Sequence, residues 1–146
     1  MDDFHSLPAA VLRQEREMAI RVIQLGTSRH ENEGLRIGTV RRPPRGVRKV
    51  DYAKRNFYDT WLPQLAPSAE LVKWMKARDD TPANWKLFEK RYVHELSFHD
   101  NLRLLDLLSA LSREADFSIG CYCEDEKKCH RSILRKMLLK HGAFIK

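Results

Sequence analysis

Three cysteines, a histidine and an arginine fall in Cys121-Tyr122-Cys123-Glu124-Asp125-Glu126-Lys127-Lys128-Cys129-His130-Arg131, and the chain has no other cysteine. Thiolates and imidazoles act as nucleophiles, proton carriers and metal ligands, and a guanidinium fixes anions. Three readings of the block stand side by side. The first is a metal site of Cys121, Cys123, Cys129 and His130, whose ligand types suit zinc. Its Cys-x-Cys-x5-Cys-His spacing departs from two pairs with gaps of about two to four residues, and adjacent Cys129 and His130 are awkward partners for one ion. On spacing alone no cofactor is expected, with zinc the metal the ligand types allow. The second is a reactive or substrate-binding thiol site. There Cys129 is the nucleophile, His130 the acid or base, Arg131 the charge stabiliser, and Glu124, directly after Cys123, a general base. The third is structural, with the thiols packed as small hydrophobes beside a helix start.

The elements that must position this block can be read around it. Phe117-Ser118-Ile119 leads in as a strand, expected over 116 to 123. Cys121 and Cys123 then share a strand face, because side chains alternate with period two. Ile133, Leu134, Met137 and Leu138 lead out as the buried side of a helix that begins near Cys129 and stops at His141-Gly142. A helix start favours a thiolate and offers unpaired amides to an anion. The block therefore sits at a strand-to-helix junction, where α/β proteins place ligands.

A second block carries the charge. Arg36, Arg41, Arg42, Arg45, Arg48, Lys49, Lys54 and Arg55 face the single acid Asp51, so this segment holds a net +7, the value of the whole chain. The other 19 basic and 19 acidic residues cancel. Six of the eight are arginine, which favours bidentate contact with a phosphate or carboxylate over simple solubility. Within the segment, Arg41-Arg42-Pro43-Pro44-Arg45-Gly46 must be a stiff loop, because its prolines remove two donors and fix two φ angles.

Elsewhere, Ser6 and Pro8 start a helix over about 7 to 18, and Ile20 to Leu25 and Leu35 to Val40 read as strands. Tyr52, Phe57, Tyr58 and Trp61 form an aromatic stretch. Ser68 caps a helix with Leu71, Val72 and Met75, and Thr81-Pro82 starts another with the core stripe Trp85, Phe88, Tyr92 and Leu96. Leucines at 102, 105, 108 and 111 mark a helix over about 99 to 114. The expected fold is α/β: a small single-domain layered fold with a short, mostly parallel sheet and about five helices. One domain over 1–146 is expected, with 1–18 as a helical extension and 19–146 as the α/β part. No apolar run approaches the roughly 18 residues of a membrane span. Met1-Asp2-Asp3-Phe4 lacks the basic and apolar regions of a secretion signal, and three clustered cysteines make no disulfide framework. A reducing cytoplasm is the expected compartment, with no membrane partner.

Three stretches carry a resemblance. They are Leu35-Arg36-Ile37-Gly38-Thr39-Val40-Arg41-Arg42-Pro43-Pro44-Arg45-Gly46-Val47, Trp61-Leu62-Pro63-Gln64-Leu65-Ala66-Pro67-Ser68-Ala69-Glu70-Leu71 and Trp85-Lys86-Leu87-Phe88-Glu89-Lys90-Arg91-Tyr92-Val93-His94-Glu95-Leu96. From about Ile20 onward the chain resembles the domain of unknown function 488 family, the YeaO-like proteins. Cys123-Glu124 and Cys129-His130-Arg131 match that family's Cys-Glu…Cys-His-Arg pattern. The YeaO-type branch often lacks those cysteines, so the chain is similar to a subgroup carrying Cys-His-Arg. The resemblance implies a small cytoplasmic bacterial α/β protein and carries no activity with it. It implies functional weight at Arg36, Arg41, Arg42, Arg45, Trp61, Ser68, Tyr92, Glu95 and the Cys123 to Arg131 group.

Two functions follow for a phosphate-bearing partner, a small molecule such as a nucleotide or a nucleic acid. In the first, an enzyme or binding protein holds the anion on Arg36, Arg41, Arg42 and Arg45, with Tyr52 and Trp61 beside them, and uses Cys129, His130, Arg131 and Glu124. It requires both blocks at one C-terminal sheet edge. In the second, a non-catalytic nucleic-acid-binding module uses the charge for phosphates and the aromatics for bases. A zinc-stabilised interaction domain is the third expectation.

Overall fold

Every residue of Phe117–Cys121 is buried, so this segment must be an inner strand covered on both faces. The computed structural model describes residues 18–146. The extension and helix expected at about 7 to 18 lie outside the described residues, apart from Met18. Four strands form one sheet in the order β1-β4-β2-β3: β1 Ile20–Gln24, β2 Leu35–Gly38, β3 Thr60–Trp61 and β4 Phe117–Cys121. All three strand pairs are parallel, with Ile20 and Leu35 both opposite Phe117. Beyond β1, Ile145 bridges Ile20. The short strand β3 falls in the stretch read only as aromatic. Two residues are too few to show an alternating pattern.

Four helices lie among the described residues: α1 Ala69–Lys76, α2 Pro82–Leu96, α3 His99–Leu111 and α4 His130–Lys140. Their starts follow the expected caps. The Ser68 hydroxyl accepts from the Leu71 amide at 3.2 Å, and that of Thr81 from the Asn84 amide at 3.1 Å. The main core joins Ile20, Ile37, Phe117 and Ile119 of the sheet to Leu71, Phe88, Tyr92, Leu105, Leu134 and Leu138 of the helices. Each fully buried side chain of this size contributes about 1.5–3 kcal/mol. A smaller cluster, Leu25, Val40, Tyr58, Cys121 and Cys129, closes the C-terminal end of the strands, so the site residues are themselves part of the packing. No helix among the described residues is long and apolar enough to cross a membrane.

One glycine fixes the entry to β2. Gly34 has φ +76, and an added Cβ would lie 2.0 Å from the Asp116 carbonyl oxygen. Gly34→Ala should therefore cost about 2–4 kcal/mol from left-handed strain and backbone overlap together. A urea midpoint unchanged by this substitution would refute the packing of β2 against the start of β4.

Candidate functional site

The C-terminal edge of the sheet gathers the two blocks. The chain leaves β4 at Cys121 and bends, so Cys123 lies beyond the strand rather than within it. The Cys123 sulfur nevertheless stays 3.8 Å from that of Cys121. Cys129 comes back to the same point as the residue before α4. All three sulfurs lie within 4.8 Å of one another, with Cys121 and Cys129 buried and Cys123 exposed. The neighbouring strand β2 runs out into Thr39 and the arginine loop. Two bonds staple that loop to the sulfur block. His130 Nε2 is 2.7 Å from the Thr39 carbonyl oxygen, and the Tyr122 hydroxyl donates to the Arg42 carbonyl at 2.9 Å.

These contacts set protonation. A carbonyl only accepts, so Nε2 of His130 carries the proton and Nδ1 keeps its lone pair. Nδ1 is 4.0 Å from the Cys129 sulfur. Burial lowers the His130 pKa despite the Thr39 bond, which leaves the ring neutral. Among the thiols, hydrogen bonds from Cys121 and Cys129, with the Arg131 charge adding to them, hold Cys123 far below the ordinary thiol value. Its partners shift the other way. The bond with Cys123 pushes Cys121 up to about 11, and bonds with Cys121 and Cys123 together with burial push Cys129 up further. Of the three thiols, Cys123 is therefore the one that gives up its proton most readily.

Arg131 lies beneath this block. It is 4% exposed, and its Nη2 donates to the Glu124 carbonyl at 3.1 Å. Its Nε and Nη1 are buried with no hydrogen-bond partner among the described residues. A buried cation is costly without a compensating anion, and the sulfurs are the negative groups it acts on. Glu124 is exposed and meets Arg131 through its backbone.

The sulfurs open onto a cleft of about 390 Å³. Cys123, Cys129 and His130 form one side, Trp85 and Phe88 another, and Lys76, Arg78 and Lys128 the cationic part. The one acid lining it, Asp80, is paired with Lys128 at 2.9 Å. Lys76, Arg78 and Lys128 were not singled out from the sequence. Lys128 had the available signal, standing directly before Cys129. Trp85 was read as core. It is half-buried and stacks on Phe88 with ring centres 5.2 Å apart.

The arginines expected to hold a ligand divide into two kinds. Arg36 is fully buried. Its guanidinium meets Glu33 and the carbonyls of Thr27, Ser28 and Asn56, so all three of its nitrogens are engaged. Arg41 is half-buried and donates to the carbonyls of Pro63, Ala66 and Pro67. Both guanidinia are thus engaged within the fold, whereas the expectation placed them on a ligand. Arg42 and Arg45 are exposed, and among the described residues their side chains make no hydrogen bond or ion pair. Tyr52 and Trp61 flank a separate cleft beside β3. Cys129 is 2% exposed, too buried for the nucleophile it was expected to be, and Cys123 is the accessible sulfur.

Several other motif residues form one knot under Arg41. The Tyr92 hydroxyl donates to the Leu65 carbonyl at 2.5 Å, and Glu95 takes the Ser68 amide at 2.8 Å and the Ser68 hydroxyl with its other oxygen. Together they fix the turn before α1.

A family model described as the active DUF488-N3 subclade matches residues 20–142. The chain belongs to that family. The match spans the sheet, the sulfur block and most of α4, in line with the resemblance read from the three stretches. No curated protein and no solved structure matches the chain.

Proposed function

We propose that the protein is a metal-dependent enzyme acting on a phosphate-bearing ligand, with zinc on Cys121, Cys123 and Cys129 and the ligand in the adjoining cleft. One observation carries this reading: three sulfurs from two chain segments converge within 4.8 Å. A thiol nucleophile needs one sulfur, and a core needs none to converge. Zinc–sulfur bonds of about 2.3 Å in a tetrahedron put sulfurs about 3.8 Å apart. The Cys121–Cys123 separation is 3.8 Å, and closing the widest gap takes about 1 Å of side-chain rotation.

Three sulfurs leave a fourth position, which is the arrangement of catalytic rather than structural zinc. Cys123 and Cys129 line the cleft, so a metal held by the three sulfurs would adjoin a ligand bound there. Zinc there supplies a Lewis acid and an activated water. His130 Nδ1 offers a proton acceptor beside it, held in its tautomer by Thr39. Lys76 and Arg78 supply the charge for a phosphate, and Trp85 a face for an aromatic group.

Elemental analysis of the full chain, purified under reducing conditions and reconstituted with zinc, should give one equivalent. Cys123→Ser should fall well below that. Replacement by cobalt should produce an intense sulfur-to-metal absorption band that the variant lacks. His130→Ala should keep the metal, since His130 lies outside the sulfur set. Its loss in that variant would mark a closed structural site and end the catalytic reading. Metal far below one equivalent in the reconstituted protein would end the metal reading altogether.

A further inference from the structure

Six of the eight basic residues between Arg36 and Arg55 face solvent: Arg42, Arg45, Arg48, Lys49, Lys54 and Arg55. The acid within that segment, Asp51, is already paired with Arg48 at 3.2 Å. Of the six, Lys49 lines a cleft of about 410 Å³ with Pro43, Val50, Tyr52, Tyr58 and Trp61, and the other five lie in the same segment. Asp59 also lines it and is held by both terminal nitrogens of Arg29 at 2.9 Å.

The aromatic walls are fixed but open. Trp61, on the edge strand β3, is 42% exposed, and its indole N–H donates to the Val40 carbonyl at 2.7 Å. That bond sets the ring plane without covering its face. Tyr52 meets Tyr58 edge-on, with ring centres 5.3 Å apart at 62°. Tyr58 is buried, and its hydroxyl has no hydrogen-bond partner among the described residues. Val50, 70% exposed, adds an apolar lip.

A small anion needs one or two converging cations, whereas six exposed cations in one segment suit a polyanion. The exposed Trp61 face, with half-buried Tyr52 lining the same cleft, suits a flat base, which stacks with little regard to sequence. A duplex keeps its bases inside and cannot offer one to the cleft. We propose that this face binds single-stranded nucleic acid, with a base between Tyr52 and Trp61 and phosphates along Arg42 to Arg55. The inference goes beyond the metal centre and stands without it. The two sites adjoin, because Tyr58 packs in the same buried cluster as Cys121 and Cys129.

Fluorescence anisotropy of the full chain with a labelled oligothymidylate of about 12 nucleotides tests this. Affinity should fall steeply with salt, with a log–log slope of about −0.7 for each phosphate contact. Arg45→Glu combined with Lys49→Glu changes exposed side chains only, and it should weaken binding at least about tenfold and flatten the slope. Tyr52→Ala should weaken it by about 5- to 100-fold, the range for one stacked base, with the melting temperature checked in parallel. Cys123→Ser should bind as the unaltered protein does, which separates failure of the metal reading from failure of this one. Equal binding of a duplex of the same length, a flat salt dependence, or an unaffected charge-reversed variant would each overturn the proposal.

Discussion

Arg36→Ala should lower the unfolding free energy by about 3–5 kcal/mol, the cost of leaving one member of a buried ion pair alone. The magnitude follows from what stays behind. Glu33 is 2% exposed, and its carboxylate meets Arg36 Nε at 2.5 Å and Nη2 at 3.1 Å. Without the guanidinium that carboxylate is buried and unpaired. The carbonyls of Thr27, Ser28 and Asn56 lose their donor at the same time. These carbonyls belong to the β1–β2 loop and to the turn before β3, so one side chain ties together the ends of three strands. Arg36→Lys should recover only a small part of the loss, because one ammonium cannot replace a planar fork that meets four residues. Urea unfolding decides the point. Glu33→Ala combined with Arg36→Ala should cost clearly less than the two single changes added, since the partners are lost together. Additive losses would show that the pair does not act as a unit.

The same residue shows where sequence reading stops. Arg36 opens the arginine segment and carries a family motif, so composition and resemblance both placed it at the ligand. Its position three residues after Glu33, in a strand whose other residues are apolar, was the available sign of a buried pair. Charge alone does not tell a buried pair from an exposed cation, nor does it show that Arg41 donates to three carbonyls. The elements were legible because they obey local rules: Ser68 and Thr81 cap their helices, and Ile20 to Leu25 and Phe117 to Ile119 are strand-like. The C-terminal edge was legible too, since strand ends and helix starts bracket both blocks. The bonds that join the blocks were not. His130 reaches Thr39 across 91 positions and Tyr122 reaches Arg42 across 80, and no local pattern encodes such pairs. The sulfur set was judged by its spacing in sequence, which assumes ligands on simple turns. The bend after Cys121 brings Cys123 back to its neighbour, so the three sulfurs meet despite that spacing.

A second buried arginine should behave in the opposite way. Arg131→Met should leave the unfolding free energy of the metal-free protein unchanged or higher, and weaken zinc binding by about 10- to 100-fold, as loss of an outer-shell partner does. The difference lies in what each guanidinium meets. Arg36 engages all three nitrogens, whereas Arg131 leaves Nε and Nη1 buried without partners among the described residues. A cation in that state weakens the fold by itself, and a methionine of similar length removes the desolvated charge while keeping the packing. Its compensation is the sulfur cluster. Three thiolates on a divalent ion would carry one net negative charge, which one guanidinium would balance; without it such a metal–thiolate group would be uncompensated. Competition with a chromogenic chelator measures the zinc affinity, and urea unfolding in the presence of chelator measures the metal-free fold. Weaker zinc binding with an undiminished fold assigns Arg131 to the charge of the site. Collapse of the metal-free fold would instead make Arg131 a structural residue like Arg36 and leave the orphaned nitrogens unexplained.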